Sequence, residues 1–259
     1  MQYIDLKIDD DIALIKFNRP EALNALNKLM LNEFEEALIK TLNDKEIKGV
    51  ILTGSGKSFI AGADIAEFLD MNAQDAVSFA EFGQNNICGR IENAPKPVIA
   101  AINGYCMGGG NEIAMACDIR LASANAVFSQ PEAAIGILPM WGGFRRLIRL
   151  AGLGKAKELI LTCRKVKADE ALSIGLVNKI IEDKDKLLDE AYIIMKNILA
   201  NAPIAVKLGK AALNCAAEFN IHEANELERK MSDILFASED KREGVKAFIE
   251  KRRAEYKGE

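Results

Sequence analysis

Hydrophobic and polar positions alternate from the start of the chain. Tyr3-Ile4-Asp5-Leu6-Lys7-Ile8 and Ile12-Ala13-Leu14-Ile15-Lys16-Phe17 read as two strands, with Asp9-Asp10-Asp11 as the turn of a hairpin. Asn18-Arg19-Pro20 breaks this pattern, and the period then changes. Leu31, Phe34, Leu38 and Leu42 recur at helical spacing over residues 27–42. Val50-Ile51-Leu52-Thr53 is a short apolar run, the mark of a buried strand. A second helix is predicted over residues 73–91, with Val77, Ala80, Ile87 and Ile91 on its inner side. Cys117-Asp118-Ile119-Arg120-Leu121-Ala122 and Val127-Phe128-Ser129 read as further short strands. The turn Pro139-Met140-Trp141-Gly142-Gly143-Phe144 leads into a basic helix, Arg145-Arg146-Leu147-Ile148-Arg149-Leu150. Beyond residue 154 the pattern is mainly helical, over residues 155–162, 168–173, 187–201, 204–217 and 223–236, with one short strand at 177–181. Ser238 is placed to cap a last helix that carries Glu239 and Asp240 early and Lys251, Arg252 and Arg253 late, a polarity that suits the helix dipole. The whole is an α/β pattern without repeats or a low-complexity linker.

The chain is organised around residues 96–132. An apolar run, Val98-Ile99-Ala100-Ala101-Ile102, enters Asn103-Gly104-Tyr105-Cys106-Met107 and then Gly108-Gly109-Gly110-Asn111-Glu112. This order reads as buried strand, tight turn and helix N-terminus. Glycines there let a backbone approach a ligand, and the free N–H groups of a first helical turn favour negative charge, whether a phosphate or a developing oxyanion. Glu112 stands at the mouth of the turn, and Ser129-Gln130-Pro131-Glu132 brings a second carboxyl group. Taken alone, Glu112 reads as an acid complementing a dipole and Glu132 as a turn acid after proline. Gly54-x-Gly56-Lys57-Ser58 lacks the four residues a phosphate loop needs between its glycines, so it reads as an ordinary turn. The small residues of Ala61-Gly62-Ala63-Asp64-Ile65 form another loop where a backbone could meet a ligand.

Composition narrows the chemistry. A net charge of −4 argues against a strongly basic nucleic-acid binder. No apolar run approaches the roughly 20 residues of a bilayer-crossing helix, and the first residues do not resemble a signal peptide. A cytoplasmic protein is the expectation. The five cysteines are scattered without a Cys-x-x-Cys pair, as reduced thiols would be. His222 is the single histidine, which disfavours a histidine metal site or a conventional triad and reads as a helix-surface or interface residue.

Four ordered motifs carry a resemblance. They are Asn18-Arg19-Pro20 with Leu23-Asn24-Ala25-Leu26; Ala61-Gly62-Ala63-Asp64-Ile65; Asn103-Gly104-Tyr105 through Glu112; and Pro131-Glu132 with Gly136, Pro139 and Gly142-Gly143. Together they resemble the crotonase (enoyl-CoA hydratase/isomerase) superfamily, above all its short-chain enoyl-CoA hydratases, over essentially the whole chain. The resemblance implies a ββα spiral core over residues 1–185 holding the CoA site. It also implies a C-terminal helical trimerisation region over 186–259 and a homohexamer built as a dimer of trimers. It implies an acyl-CoA substrate, no metal or redox cofactor, coenzyme A being part of the substrate, and neither a nucleic-acid nor a membrane partner. The setting it suggests is fatty acid β-oxidation.

The resemblance also assigns residues. Ala63 and Gly109 match the two backbone N–H donors of the oxyanion hole, and Glu112 and Glu132 the two catalytic acids of the hydratases. Glu112 is read as the main water activator and Glu132 as the acid/base at the α-carbon, with roles exchanged in dehydration. Ala25, Ala61, Asp64 and Ile65 match positions that border CoA, Asp64 reading also as a loop-ordering acid. Lys251 matches a lysine near the CoA phosphates, contributed by a neighbouring subunit. The chain departs from the family pattern at Met140 (commonly glycine), Phe144 (threonine), Arg145 (glutamine) and Ala66 (lysine). Met140 and Trp141 would add bulk to the acyl pocket, or simply repack the turn. The expected reaction is reversible hydration of a 2-enoyl-CoA such as crotonyl-CoA. The alternatives are a cyclic or dienoyl-CoA hydratase, an isomerase or thioester hydrolase on the same fold, and an RNA- or partner-binding protein.

Overall fold

The computed structural model describes residues 1–216 and 220–259, in two compact units: residues 1–94 with 98–192, and residues 95–97 with 193–259. In the first unit the predicted hairpin forms. β1 (Ile4–Asp9) pairs antiparallel with β2 (Ile12–Phe17), and Asp10 takes the left-handed φ of 53° that turns the chain. Asn27 caps α1 (Lys28–Asn43) by accepting the Met30 N–H at 2.9 Å, and Leu31, Phe34 and Leu38 bury its inner face.

From β2 onward the chain builds two sheets, one of them made entirely of strands of two or three residues. β3 (Gly49–Gly54), β5 (Val98–Ile102), β7 (Ile119–Ser123) and β10 (Lys179–Ile181) extend the hairpin in parallel, giving the order β1-β2-β3-β5-β7-β10. The second sheet has the order β4 (Ser58–Ile60), β6 (Tyr105–Met107), β8 (Val127–Ser129), β9 (Val166–Lys167). β3, β5 and β7 each feed a short strand a few residues later, so each turn of the chain adds one strand to each sheet. This is a ββα spiral, repeated in structure with no matching repeat in sequence.

The structure corrects several of the sequence expectations. The helix expected over 73–91 is α2 (Ala73–Phe82), a π-helical turn (Gly83–Cys88) and α3 (Gly89–Glu92). A π turn inserts an extra residue and rotates the rest of the helix about its axis. Val77 is therefore 50% exposed while Ile87 and Ile91 are buried. Cys117 ends α4 (Gly109–Ala116) rather than starting a strand. The two helices expected at 145–150 and 155–162 are joined as α5 (Gly143–Thr162) across Gly152, whose φ of 77° kinks it. α6 (Ala168–Ser173) forms as expected.

The boundary between the units falls inside α7 (Leu187–Leu199). The second unit holds α8 (Pro203–Ala216), α9 (Ile221–Ala237) and α10 (Glu239–Glu250). Ala217, the last residue of the helix expected at 204–217, lies outside the described residues. Ser238 caps α10 by accepting the Lys241 N–H at 3.1 Å. Because α10 ends at Glu250, Lys251, Arg252 and Arg253 lie beyond it rather than in its last turn. Arg252 instead grips Glu243 at 2.6 and 2.8 Å, and buried Asp240 accepts the Lys257 and Gly258 N–H groups, folding the tail back along α10.

Candidate active site

A cavity of about 240 Å³ opens in the first unit, where residues 61–65, the start of α4, the Glu132 turn and residues 137–141 converge. The glycine run shapes its floor. Gly108 turns the chain between β6 and α4 with φ 52° and ψ −126°, a backbone that side-chain-bearing residues avoid. Gly110 is small for packing rather than for a ligand, since a Cβ there would collide with the Ile60 backbone. Between them, Gly109 begins the helix. Its N–H and that of Ala63 have no hydrogen-bond partner among the described residues, and both residues line the cavity.

The loop that carries Ala63 is tied down on its far side. The Ala61, Leu26 and Asp64 N–H groups donate to the Leu23, Gly62 and Leu26 carbonyls at 3.1, 2.9 and 2.8 Å. Asn24, fully buried with φ 59°, donates from its amide to the Ser58 carbonyl at 2.8 Å. Arg19 Nη1 bridges the Ala25 carbonyl (3.0 Å) and the Asp64 carboxylate (2.9 Å). These bonds consume the neighbouring donors and leave the Ala63 N–H free.

The two glutamates meet across this cavity in different surroundings. Glu112, 3% exposed in the first turn of α4, accepts the Trp141 N–H (2.8 Å) and the Gly143 N–H (2.7 Å) on Oε1. Burial raises its pKa, while those donors and the Arg146 charge oppose the rise. Glu132 opens a 3-10 turn (Glu132–Ile135), and its buried Oε2 has no hydrogen-bond partner. Burial, with the Glu112 charge adding to it, pushes its pKa up to about 7. Two carboxyl groups in such different surroundings can take different protonation states.

The Enoyl-CoA hydratase/isomerase family model matches residues 7–259. The chain belongs to this family. It is 48% identical over 251 residues to the short-chain-enoyl-CoA hydratase of Clostridium acetobutylicum, covering 96% of this chain and 95% of that one. It is 44% identical over 254 residues to the crotonyl-CoA hydratase of Syntrophomonas wolfei, covering 98% and 97%. The crystal structure of an enoyl-CoA hydratase from Bacillus anthracis superposes with a TM-score of 0.94 at 36% identity and covers the whole of both chains. The spiral is therefore the crotonase fold.

Among the positions this family resemblance marks, the cavity wall gathers Ala61, Ala63, Ile65, Gly109, Glu112, Glu132, Met140 and Trp141. Ala25 and Asp64 do not line it but hold the loop that does. Lys251 does not line it either; it closes α10 in the second unit with φ 54° and an exposed side chain. Phe68, Phe79, Ile135 and Leu138 line the cavity without having been singled out in the sequence. Trp141 is 2% exposed, donates from its indole to the Phe79 carbonyl at 3.1 Å and lies with its ring 5.0 Å from the Phe79 ring, tilted by 41°. His222 sits exposed in the first turn of α9. Among the described residues no helix is long and apolar enough to cross a membrane, and no group of three His, Cys, Asp or Glu side chains could hold a metal.

Proposed function

We propose that this chain catalyses the reversible addition of water to a 2-enoyl-CoA thioester, with a short acyl group such as crotonyl. One observation carries the reading: two buried carboxyl groups of opposite surroundings share an apolar cavity with two unpaired backbone N–H groups. As water adds at the β-carbon, negative charge gathers on the thioester oxygen. The Ala63 and Gly109 N–H groups stabilise it there; the loss of one such donor typically costs on the order of 10²–10³ in rate. Glu112 as carboxylate takes the proton from the attacking water, and Glu132 as acid gives a proton to the α-carbon. In dehydration the roles exchange. No metal or redox group takes part, and coenzyme A enters with the substrate.

Ala61 and Ile65 would border the CoA moiety, with Asp64 and Ala25 acting through the loop they hold. Lys251 is assigned to the CoA phosphates of a neighbouring subunit. The exposed apolar side chains Leu213, Phe236, Phe248 and Ile249 of the second unit support assembly into trimers, and through them a hexamer. A cytoplasmic role in fatty acyl-CoA metabolism is the proposed setting. Trp141 and Met140 close the acyl pocket, and the names of the two curated relatives support the same short-chain class. Trp141 fits only because Gly83 faces it, since a Cβ on Gly83 would collide with the indole.

The test is loss of the conjugated enoyl-thioester absorbance with crotonyl-, octenoyl- and decenoyl-CoA. Wild type should turn over crotonyl-CoA fastest. Trp141→Ala should raise the octenoyl-to-crotonyl ratio of kcat/KM by roughly tenfold or more, in line with what one or two methylenes are worth in an apolar pocket. A wild type that binds CoA thioesters but hydrates none of them would end this reading.

A further inference from the structure

The turn that feeds Glu112 its two hydrogen bonds is itself held from behind. The Trp141 N–H belongs to the Met140-Trp141 peptide, whose carbonyl accepts from Gln84 Nε2 at 2.6 Å. The Gly143 N–H belongs to the next peptide but one, whose carbonyl, on Gly142, accepts the Arg146 N–H at 3.1 Å. Between them, the Trp141 carbonyl accepts Arg146 Nη1 at 2.6 Å. Gly142, with φ 90°, packs directly on this guanidinium; a Cβ there would stand 2.5 Å from Nη1. Arg146 is 4% exposed, and its other end meets Glu92 at 2.8 Å.

We propose that Arg146, braced by Glu92, is a positioning residue for Glu112: by holding the Trp141 carbonyl it fixes the two backbone donors that orient the Glu112 carboxylate. The inference rests on the hydratase reading, in which Glu112 acts as carboxylate. A guanidinium that is 4% exposed must find its acceptors inside the fold, and Arg146 finds the Trp141 carbonyl and Glu92. Its burial makes sense as a strut between α3, α5 and the turn. Arg146 also lowers the Glu112 pKa against the effect of burial, so one side chain both aims the carboxylate and favours its ionised form.

The charged and titratable groups around this pair are few. Glu92 comes from α3 and also takes Arg145 at 2.6 Å and Arg149 at 3.8 Å, both from α5. Arg90 of α3 turns away to Glu35 at 3.6 Å. Cys88 of the π turn, Cys106 of β6 and Cys117 at the end of α4 are buried, and burial raises the Cys88 and Cys106 thiols, holding them neutral. Glu132 faces Glu112 across the cavity.

The test compares kcat and KM for crotonyl-CoA across pH in wild type, Arg146→Gln, Arg146→Lys and Glu92→Gln, with thermal unfolding to show that each is folded. In Arg146→Gln, kcat should fall roughly 10- to 100-fold with KM little changed, as expected when a catalytic group is misaimed. Its acidic limb should move to higher pH by about one pH unit, as expected when a neighbouring opposite charge is removed. Arg146→Lys restores the charge without the fork, so the limb should return while kcat recovers only in part. Glu92→Gln removes the brace, so kcat should fall less than in Arg146→Gln and its limb should move the same way by a smaller amount. A purely structural strut would leave the limb of both folded variants where wild type has it. The inference fails if folded Arg146→Gln keeps the wild-type limb, or if Glu92→Gln changes neither kcat nor the limb. If Arg146→Gln does not fold, Arg146→Lys and Glu92→Gln decide by the same criteria. Titration of ¹³C-labelled glutamate reads the Glu112 coupling without turnover. An inert wild type would therefore count against the hydratase reading alone.

Discussion

Glu112 sits in the first turn of α4 with two backbone N–H groups on one carboxylate oxygen and a buried arginine behind them. Glu132 sits on a 3-10 turn with one oxygen unpaired and apolar Ile135, Ile137 and Leu138 close by in the cavity wall. The same functional group thus meets two backbone donors and a positive charge in one region, and in the other mainly desolvation and a like charge, opposed by its own backbone N–H. The difference bears on the proposed chemistry of a site without a histidine: of two buried carboxyl groups, one has donors and a positive charge to support it as carboxylate and the other has far less.

Breaking either side should have the largest effect. On the proposed reading, Glu112→Gln and Glu132→Gln each remove one proton-transfer group while leaving the shape of the cavity. Hydration of crotonyl-CoA should then fall by roughly 10²–10⁴ in each variant, the usual worth of a positioned acid or base. The loss should appear in kcat, because neither substitution removes the backbone donors or the loop that carries Ala63. A variant that keeps most of its rate would unseat its residue from the chemistry.

A smaller effect sharpens the contrast. The folded state holds the Glu132 proton more tightly than the unfolded chain does, because its pKa stands at about 7. The resulting stability is complete below the ordinary carboxylate range and is lost as pH rises through about 7. Glu132→Gln removes this penalty, so its Tm should exceed that of wild type at pH 8 by on the order of 4 °C, and by little at pH 5. Thermal unfolding at the two pH values checks this. Equal Tm differences at both would mean that Glu132 is not held as an acid. Stability gained at the expense of rate is the signature expected of a functional residue in a costly environment.

Much of this was legible in the sequence, for physical reasons that can be named. The hairpin, α1 and the strand before the glycine run follow from period and turn chemistry. The carboxyl pair came from ordered motifs, because no periodicity assigns a role to a glutamate. The π turn was not legible, since one extra residue changes the phase of a pattern that otherwise looks like a single helix. The three-residue strands β4 and β6 are too short to show an alternation. Arg146 lies in what reads only as a basic helix, and only tertiary burial separates it from the 42%-exposed side chain of Arg145. Phe79, on a helix whose buried side was misphased, was missed with it.

The most direct single measurement is the pH dependence of kcat/KM for crotonyl-CoA hydration, which reports the free enzyme. With Glu112 as carboxylate and Glu132 as acid, the profile should be a bell. It should rise as the pair gives up its first proton and fall as pH passes through about 7, where Glu132 gives up the second. Glu132→Gln should lose the falling limb along with most of its rate. A wild-type profile flat from pH 6 to 9, or a falling limb that survives in Glu132→Gln, would contradict the division of labour between the two glutamates.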